Sequence, residues 1–136
     1  MTRALRLPAP VRVAITRHAV HDAPRECCGF LLGSGGRVHY AWPATNTSMS
    51  PQTRYRVDPR EHIALRRILR RLTPALTIVG VYHSHPQGPP VPSPTDLRDA
   101  YVREWTYVIV DLSRRVPRIS AWMIREGRAL RTPLRR

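Results

Sequence analysis

A mixed α/β (α+β) domain, with a curved and largely antiparallel sheet and helices packed against it, is the fold class this sequence predicts. Three observations predict it. Apolar runs of strand length, rich in β-branched and aromatic residues, recur at 76–82 and 105–112. Turns rich in glycine or proline separate such runs. Two other stretches, 8–23 and 58–72, repeat their apolar residues at helical spacing. The 136 residues suit a single domain spanning 1–136. A chain of this size buries roughly 68% of its unfolded surface, so neither a disulfide nor a structural metal is needed for folding.

Residues 3–7 alternate and read as a short strand. Residues 8–23 form a helix opened by prolines, with Val11, Ile15 and Ala19 on one face. His18 and His21 fall near its end as surface histidines, a place where a cation suits the helix dipole. Strands at 27–32 and 38–45 are joined by Gly33-Ser34-Gly35-Gly36, a hairpin turn. A short strand at 54–57 precedes Asp58-Pro59, which caps the helix 58–72. There Leu65, Ile68, Leu69 and Leu72 face the core, and Arg66, Arg67, Arg70 and Arg71 lie opposite. After the strand at 76–82, Ser93 as N-cap and Pro94 at the first helical position open a helix over 93–103. Strands 105–112 and 118–124 make a second hairpin, and the tail from Arg128 is either frayed or a last edge strand. Trp42, Trp105 and Trp122 read as core or edge packing rather than stacking platforms.

The net charge of +14 comes from 23 basic residues, all of them arginine. A solvated basic face is the plain reading of the arginines on the 58–72 helix, and a docking surface for an acidic protein is the next. No aromatic interleaving or binding motif accompanies the charge, which argues against nucleic acid. Cys27 and Cys28 are adjacent, so on a strand they point to opposite faces and do not pair. Cys28 reads as a small buried hydrophobe rather than a ligand or nucleophile. With no signal peptide and no apolar run near 18 residues, the expected setting is cytoplasmic, without a membrane.

The segment His83-Ser84-His85-Pro86, followed by Ser93 and Asp96, gathers two imidazoles, a hydroxyl and a carboxylate. His83 and His85 sit two apart at a strand end, so both rings can aim at one point. Asp96 falls in the first turn of the next helix and can face back toward them. Two His and one Asp make three protein ligands, the number a catalytic zinc site uses while leaving a fourth position open. Each part also has an ordinary reading: His-x-His occurs as plain surface or core histidine, and Ser-x-x-Asp is a capping box. Between the two halves, Pro86, Pro89, Pro90, Pro92 and Pro94 stiffen the loop. Asn46-Thr47-Ser48 precedes a loop expected over the site.

Adding Glu26 in Pro24-Arg25-Glu26-Cys27-Cys28-Gly29 makes the pattern specific. Pro-x-Glu-x-Cys-Gly, then His-Ser-His-Pro, six residues, Ser, two residues and Asp resembles the JAMM (MPN-plus) metalloprotease family in its compact prokaryotic form, over essentially the whole chain. That resemblance implies an MPN/JAMM-like fold, distantly related to cytidine deaminases. It implies a zinc ion (Zn2+) held by His83, His85 and Asp96, Glu26 as general base, and Ser93 hydrogen bonding in the transition state. It further implies cleavage of a peptide or isopeptide bond after the C-terminal Gly-Gly of a ubiquitin-like or sulfur-carrier protein.

Three alternatives of other classes stand beside this reading. A peptidoglycan-peptide endopeptidase of the same superfamily would share the chemistry, although an export signal is missing. A nucleobase deaminase would need a Pro-Cys-x-x-Cys ligand segment that the sequence lacks. A partner-binding scaffold without catalysis would have no use for Glu26, His83, His85, Ser93 and Asp96 together.

Overall fold

The computed structural model describes residues 3–100 and 102–136. Its elements are β1 (Leu5–Arg6), α1 (Ala9–Asp22), β2 (Cys28–Ser34), β3 (Arg37–Ala44), α2 (Pro59–Leu69), β4 (Thr77–His85), α3 (Pro94–Asp99), β5 (Thr106–Asp111), β6 (Arg118–Arg125), β7 (Arg128–Arg131) and β8 (Leu134–Arg135). All strands join one sheet in the order β7-β6-β5-β4-β2-β3-β1-β8. Pairing is antiparallel for β2 with β3 and β4, and for β6 with β5 and β7; it is parallel for β4 with β5 and for β1 with β3 and β8. The mixed sheet is therefore as the sequence predicts.

Apolar residues fill both faces of the sheet, because helices cover both. On one face Val11, Ile15 and Ala19 of α1 pack with Cys27, Leu31, Tyr82, Val108 and Val110. On the other, Leu65 of α2 packs with Cys28, Phe30, Leu32, Val81, Trp105 and Tyr107. Cys27 and Cys28 thus belong to opposite faces, and both thiols are free. A bulge opposite Leu31 and Leu32 inserts one extra residue, Val79, into β4. It shifts the alternation, so that Ile78 and Val81 face the same cluster although three residues apart. Beyond the bulge Val81, His83 and His85 share the α2 face, and Tyr82 and Ser84 turn the other way. Gly29 lets Tyr82 lie flat across β2, since a Cβ there would collide with the phenol ring.

The chain's last strands close the sheet on itself. β7 and β8 are its two edges, yet only Thr132 and Pro133 separate them in sequence. The Thr132 amide donates to the Ala121 carbonyl (2.8 Å), while the Leu5 and Leu7 amides donate to the carbonyls of Pro133 (2.9 Å) and Arg135 (2.7 Å). The tail left open between fraying and an edge strand is two edge strands.

Several expectations need correction. His18 is not a surface histidine: its Nδ1 lies 2.7 Å from the Tyr82 hydroxyl and its Nε2 3.2 Å from Asp22, while His21 is exposed as expected. α2 stops at Leu69, and Ile68 and Leu72 are exposed rather than core-facing. Residues 54–57 contribute a single bridge, Asn46 to Val57, instead of a strand. α3 ends at Asp99, short of the helix expected over 93–103; Tyr101 of that stretch lies outside the described residues. Trp42 is exposed on β3, whereas Trp105 is core. None of the helices is long and apolar enough to cross a membrane among the described residues.

Candidate active site

The site forms where β4 ends beside the start of β2. Cys28 pairs with His83, so the residue two before Cys28, Glu26, is carried to the histidines. Ser84 secures that approach from the opposite face. Its hydroxyl accepts the Cys27 amide proton at 2.8 Å, and its own amide donates to the Cys27 carbonyl at 3.2 Å.

Three polar atoms meet at one point. Nε2 of His83 lies 3.0 Å from Nε2 of His85, and Oδ2 of Asp96 is 3.1 Å from each. Ligands about 2.0–2.1 Å from a common tetrahedral ion stand roughly 3.3 Å apart, so this triangle is close to the face of a zinc site. His85 is oriented for that use. Nδ1 of His85 is 2.7 Å from the Pro89 carbonyl, which can only accept, so Nδ1 carries a proton and Nε2 is the atom left to offer a lone pair to a metal. Asp96 is oriented by α3: its Oδ2 accepts the Ser93 amide at 2.9 Å while its own amide donates to Ser93 Oγ at 3.0 Å. The capping box and the inward carboxylate are one arrangement, so the ordinary and the chemical readings of Ser93 and Asp96 hold together.

Glu26 is only 5% exposed, and a carboxylate oxygen lies within 4.8 Å of the ligating atoms of both histidines. Its Oε1, like His83 Nδ1, has no hydrogen-bond partner among the described residues. Burial, opposed by His85 and reinforced by Asp96, pushes its carboxyl up to about 7. For Asp96 burial would do the same, but His83, His85 and the Ser93 amide outweigh it and hold the carboxyl below the usual range. Burial keeps His83 neutral, lowering its pKa against the pull of Asp96. Burial opposes charge on His85 as well, yet its bonds to Asp96 and Pro89 prevail and raise it. Two nearby carboxyls with opposite shifts separate a permanent anion from a group able to exchange a proton near neutrality. Both cysteine thiols are pushed up by burial, Cys27 to about 12, which fits inert packing.

Further contributors carry no motif. Tyr55 stacks on His83 with ring centroids 4.3 Å apart, at 23°. Asn46 is the staple of the loop that brings Tyr55 there. Its amide donates to the Glu26 and Arg54 carbonyls, both at 3.0 Å, and its Oδ1 accepts the amides of Ser48 (3.0 Å) and Arg56 (3.1 Å). The tripeptide noted in the sequence therefore splits: Asn46 builds the loop, whereas Thr47 and Ser48 line a cavity of about 690 Å³. That cavity is floored by Phe30, Val81, Trp105 and Tyr107 and reaches Asp96.

A curled sheet with a His-x-His pair ending a central strand and an aspartate at the next helix N-terminus defines a domain of the JAB, or JAMM/MPN, class. The family described as prokaryotic homologs of the JAB domain matches residues 8–125. This chain belongs to that family, the compact prokaryotic form of the JAMM metalloproteases, and is a hydrolase of its type. It is 35% identical over 111 residues to a desampylase of Haloferax volcanii, covering 77% of this chain and 78% of that one. It is 35% identical over 99 residues to the CysO-cysteine peptidase of Mycobacterium tuberculosis, covering 71% and 66% respectively. A probable TtuB-protein conjugate cleaving protease of Thermus thermophilus is 38% identical over 84 residues, or 61% of this chain and 54% of that one. A solution structure from Desulfitobacterium hafniense superposes with a TM-score of 0.85 at 26% identity, covering 96% of this chain and 91% of that one.

Proposed function

We infer that the protein is a zinc-dependent hydrolase that cleaves a peptide or isopeptide bond after the C-terminal Gly-Gly of a ubiquitin-like or sulfur-carrier protein. The observation that carries this reading is the triangle of His83, His85 and Asp96 with the unpaired Glu26 carboxylate beside it. Their donor set fits zinc, two neutral imidazoles and one carboxylate being a common catalytic combination. When bound, zinc would supply a Lewis acid for the scissile carbonyl and bring the pKa of water from 15.7 to about 7.

The chain's own residues supply the rest. Glu26 takes a proton from the attacking water and delivers it to the leaving amine. A carboxyl near 7 suits both transfers, which together are worth typically ~100 to 10,000-fold. Asp96, held as an anion, does not compete for that proton. Ser93 Oγ accepts the Asp96 amide and so keeps its own proton free to donate to the developing oxyanion, a contribution of ~2.7–4 kcal/mol in comparable sites.

The substrate reading is supported by the cavity and by the relatives. Its apolar floor under the 47–57 loop suits an extended peptide tail, and glycines at the end of that tail let the carbonyl approach the site closely. The relatives' names describe cleavage of protein conjugates and of CysO-cysteine. The test is intact-mass spectrometry of Gly-Gly-ended sulfur carriers bearing short C-terminal extensions, incubated with zinc-loaded protein. Cleavage after Gly-Gly by the wild type, lost in Asp96→Ala and Glu26→Gln, is the expected result. A zinc-loaded wild type that leaves these substrates whole but cuts peptidoglycan peptides would overturn the substrate.

A further inference from the structure

Two residues of β6, far from any ligand motif, hold the carbonyl next to the one that orients His85. Ser120 is buried, and its hydroxyl donates to the Pro90 carbonyl at 2.5 Å. The indole Nε1 of Trp122 is shared between that same carbonyl (3.2 Å) and Ser120 Oγ (2.8 Å). Arg131 lies over the indole, 5.7 Å from its centroid, and braces it from behind. The neighbouring carbonyl, Pro89, accepts from His85 Nδ1 at 2.7 Å. Because the 89–90 segment is made of two prolines, it has few torsions to spare. Fixing the Pro90 carbonyl therefore also fixes the direction of the Pro89 carbonyl.

The other end of the loop is pinned as well. Gly88 has a left-handed φ of +59°, and a Cβ there would collide with Asp111 Oδ1 and Ser113 Oγ. Asp111 is itself immobilised by Arg118 (Nη2 at 2.6 Å, Nε at 3.1 Å) and by the Ser113 hydroxyl (2.6 Å). The loop is thus held on both sides of Pro89, whose carbonyl accepts from His85.

We propose that Ser120 and Trp122 are positioning residues for the metal centre, acting through Pro90 and Pro89 to keep the proton of His85 on Nδ1 and its lone pair on the ligand side. The proposal rests on the zinc reading above for its purpose, but its geometry does not. A direct partner of a ligating histidine typically changes metal affinity about 10- to 100-fold, which is the upper limit for residues acting through the Pro89 carbonyl. Ser120→Ala leaves the Trp122 donor in place and should weaken binding several-fold. Ser120→Ala with Trp122→Phe falls toward that limit. Ser120→Thr keeps the hydroxyl and restores the wild-type values.

The experiment has two readouts on the full chain. The first is Zn2+ affinity, measured by competition with a chromophoric chelator. The second is exchange with water of the His85 Nδ1–H proton, followed by ¹H–¹⁵N NMR in metal-free protein. Weaker Zn2+ binding together with exchange accelerated about 10-fold or more, both reversed by Ser120→Thr, is the expected result. Unchanged affinity and unchanged exchange in a folded double variant would overturn the proposal. If the double variant does not fold, the comparison of Ser120→Ala with Ser120→Thr decides the matter in the same way. If the wild type binds no Zn2+, the functional reading fails, while the exchange comparison still settles the clamp.

Discussion

Consecutive residues at the end of β4 serve two faces with opposite habits. On the α1 face, Tyr82 is fully buried and its hydroxyl meets His18, which in turn meets Asp22: phenol, imidazole and carboxylate satisfy one another. On the α2 face, His83, His85 and Glu26 are buried and Asp96 half-buried, yet their lone pairs converge and two atoms, Glu26 Oε1 and His83 Nδ1, have no partner among the described residues. Unpaired buried polar groups cost about 1–3 kcal/mol each. One face completes its own hydrogen bonds and gains stability. Its neighbour forgoes that gain and keeps acceptors ready for something supplied from outside.

Substitutions on the two faces should therefore separate binding from stability. Asp96→Ala carries the largest expected effect: Zn2+ binding in the chelator assay falls by at least about 100-fold, and cleavage goes with it. Glu26→Gln comes next. It should bind Zn2+ normally and lose about 100 to 10,000-fold in turnover. A Glu26→Gln protein that cleaves at the wild-type rate would remove the base from the mechanism.

The same substitution sharpens the comparison in metal-free protein. The Glu26 carboxyl is raised to about 7 from an ordinary 4.5, so between these values the unfolded chain has released a proton that the folded one keeps. Its contribution to stability is complete below about 4.5 and is lost as pH rises through 7. Glu26→Gln should accordingly raise Tm at pH 8 relative to the wild type and lose that advantage near pH 4, with an upper bound of about 3 kcal/mol. Thermal scans at the two pH values check it.

Back-face changes should do the reverse. Tyr82→Phe strands the His18 ring and should cost about 1–2 kcal/mol, a Tm loss of roughly 3–8 °C, with Zn2+ affinity unchanged. Ile68→Glu, on the exposed flank of α2 and not on the back face, should stay within about 0.5 kcal/mol of wild type by urea denaturation.

How much of this was readable beforehand depends on distance along the chain. His83, His85, Ser93 and Asp96 lie within one strand, one loop and one helical turn, where alternation and capping rules decide which way side chains face. Glu26 needed the family pattern, because only the register of β2 against β4 brings it near. The His18–Tyr82 contact spans 64 residues and left no local sign; a histidine near a helix C-terminus reads the same whether a phenol covers it or not. Tyr55, Ser120 and Trp122 escaped for the same reason. Ile68 and Leu72 failed differently. Periodicity put four residues on one side of α2, but the core takes only the line of Leu65 and Leu69: Ile68 sits beside that line and Leu72 past the helix end.

The joining of the two sheet edges through Thr132 and Pro133 has a consequence for assembly in time. Leu5 of β1 pairs with Leu134 of β8, and almost every other strand of the sheet lies between them in sequence. A pairing of such separation is slow to form, because most of the chain's entropy must be surrendered before it is rewarded. On its other side β1 pairs with β3 through Arg6 and Arg37, and the Arg6 amide donates to the Gly36 carbonyl at 2.8 Å. The clasp is therefore expected to form after the local hairpins, so that changes at 132–135 should speed unfolding more than they slow folding.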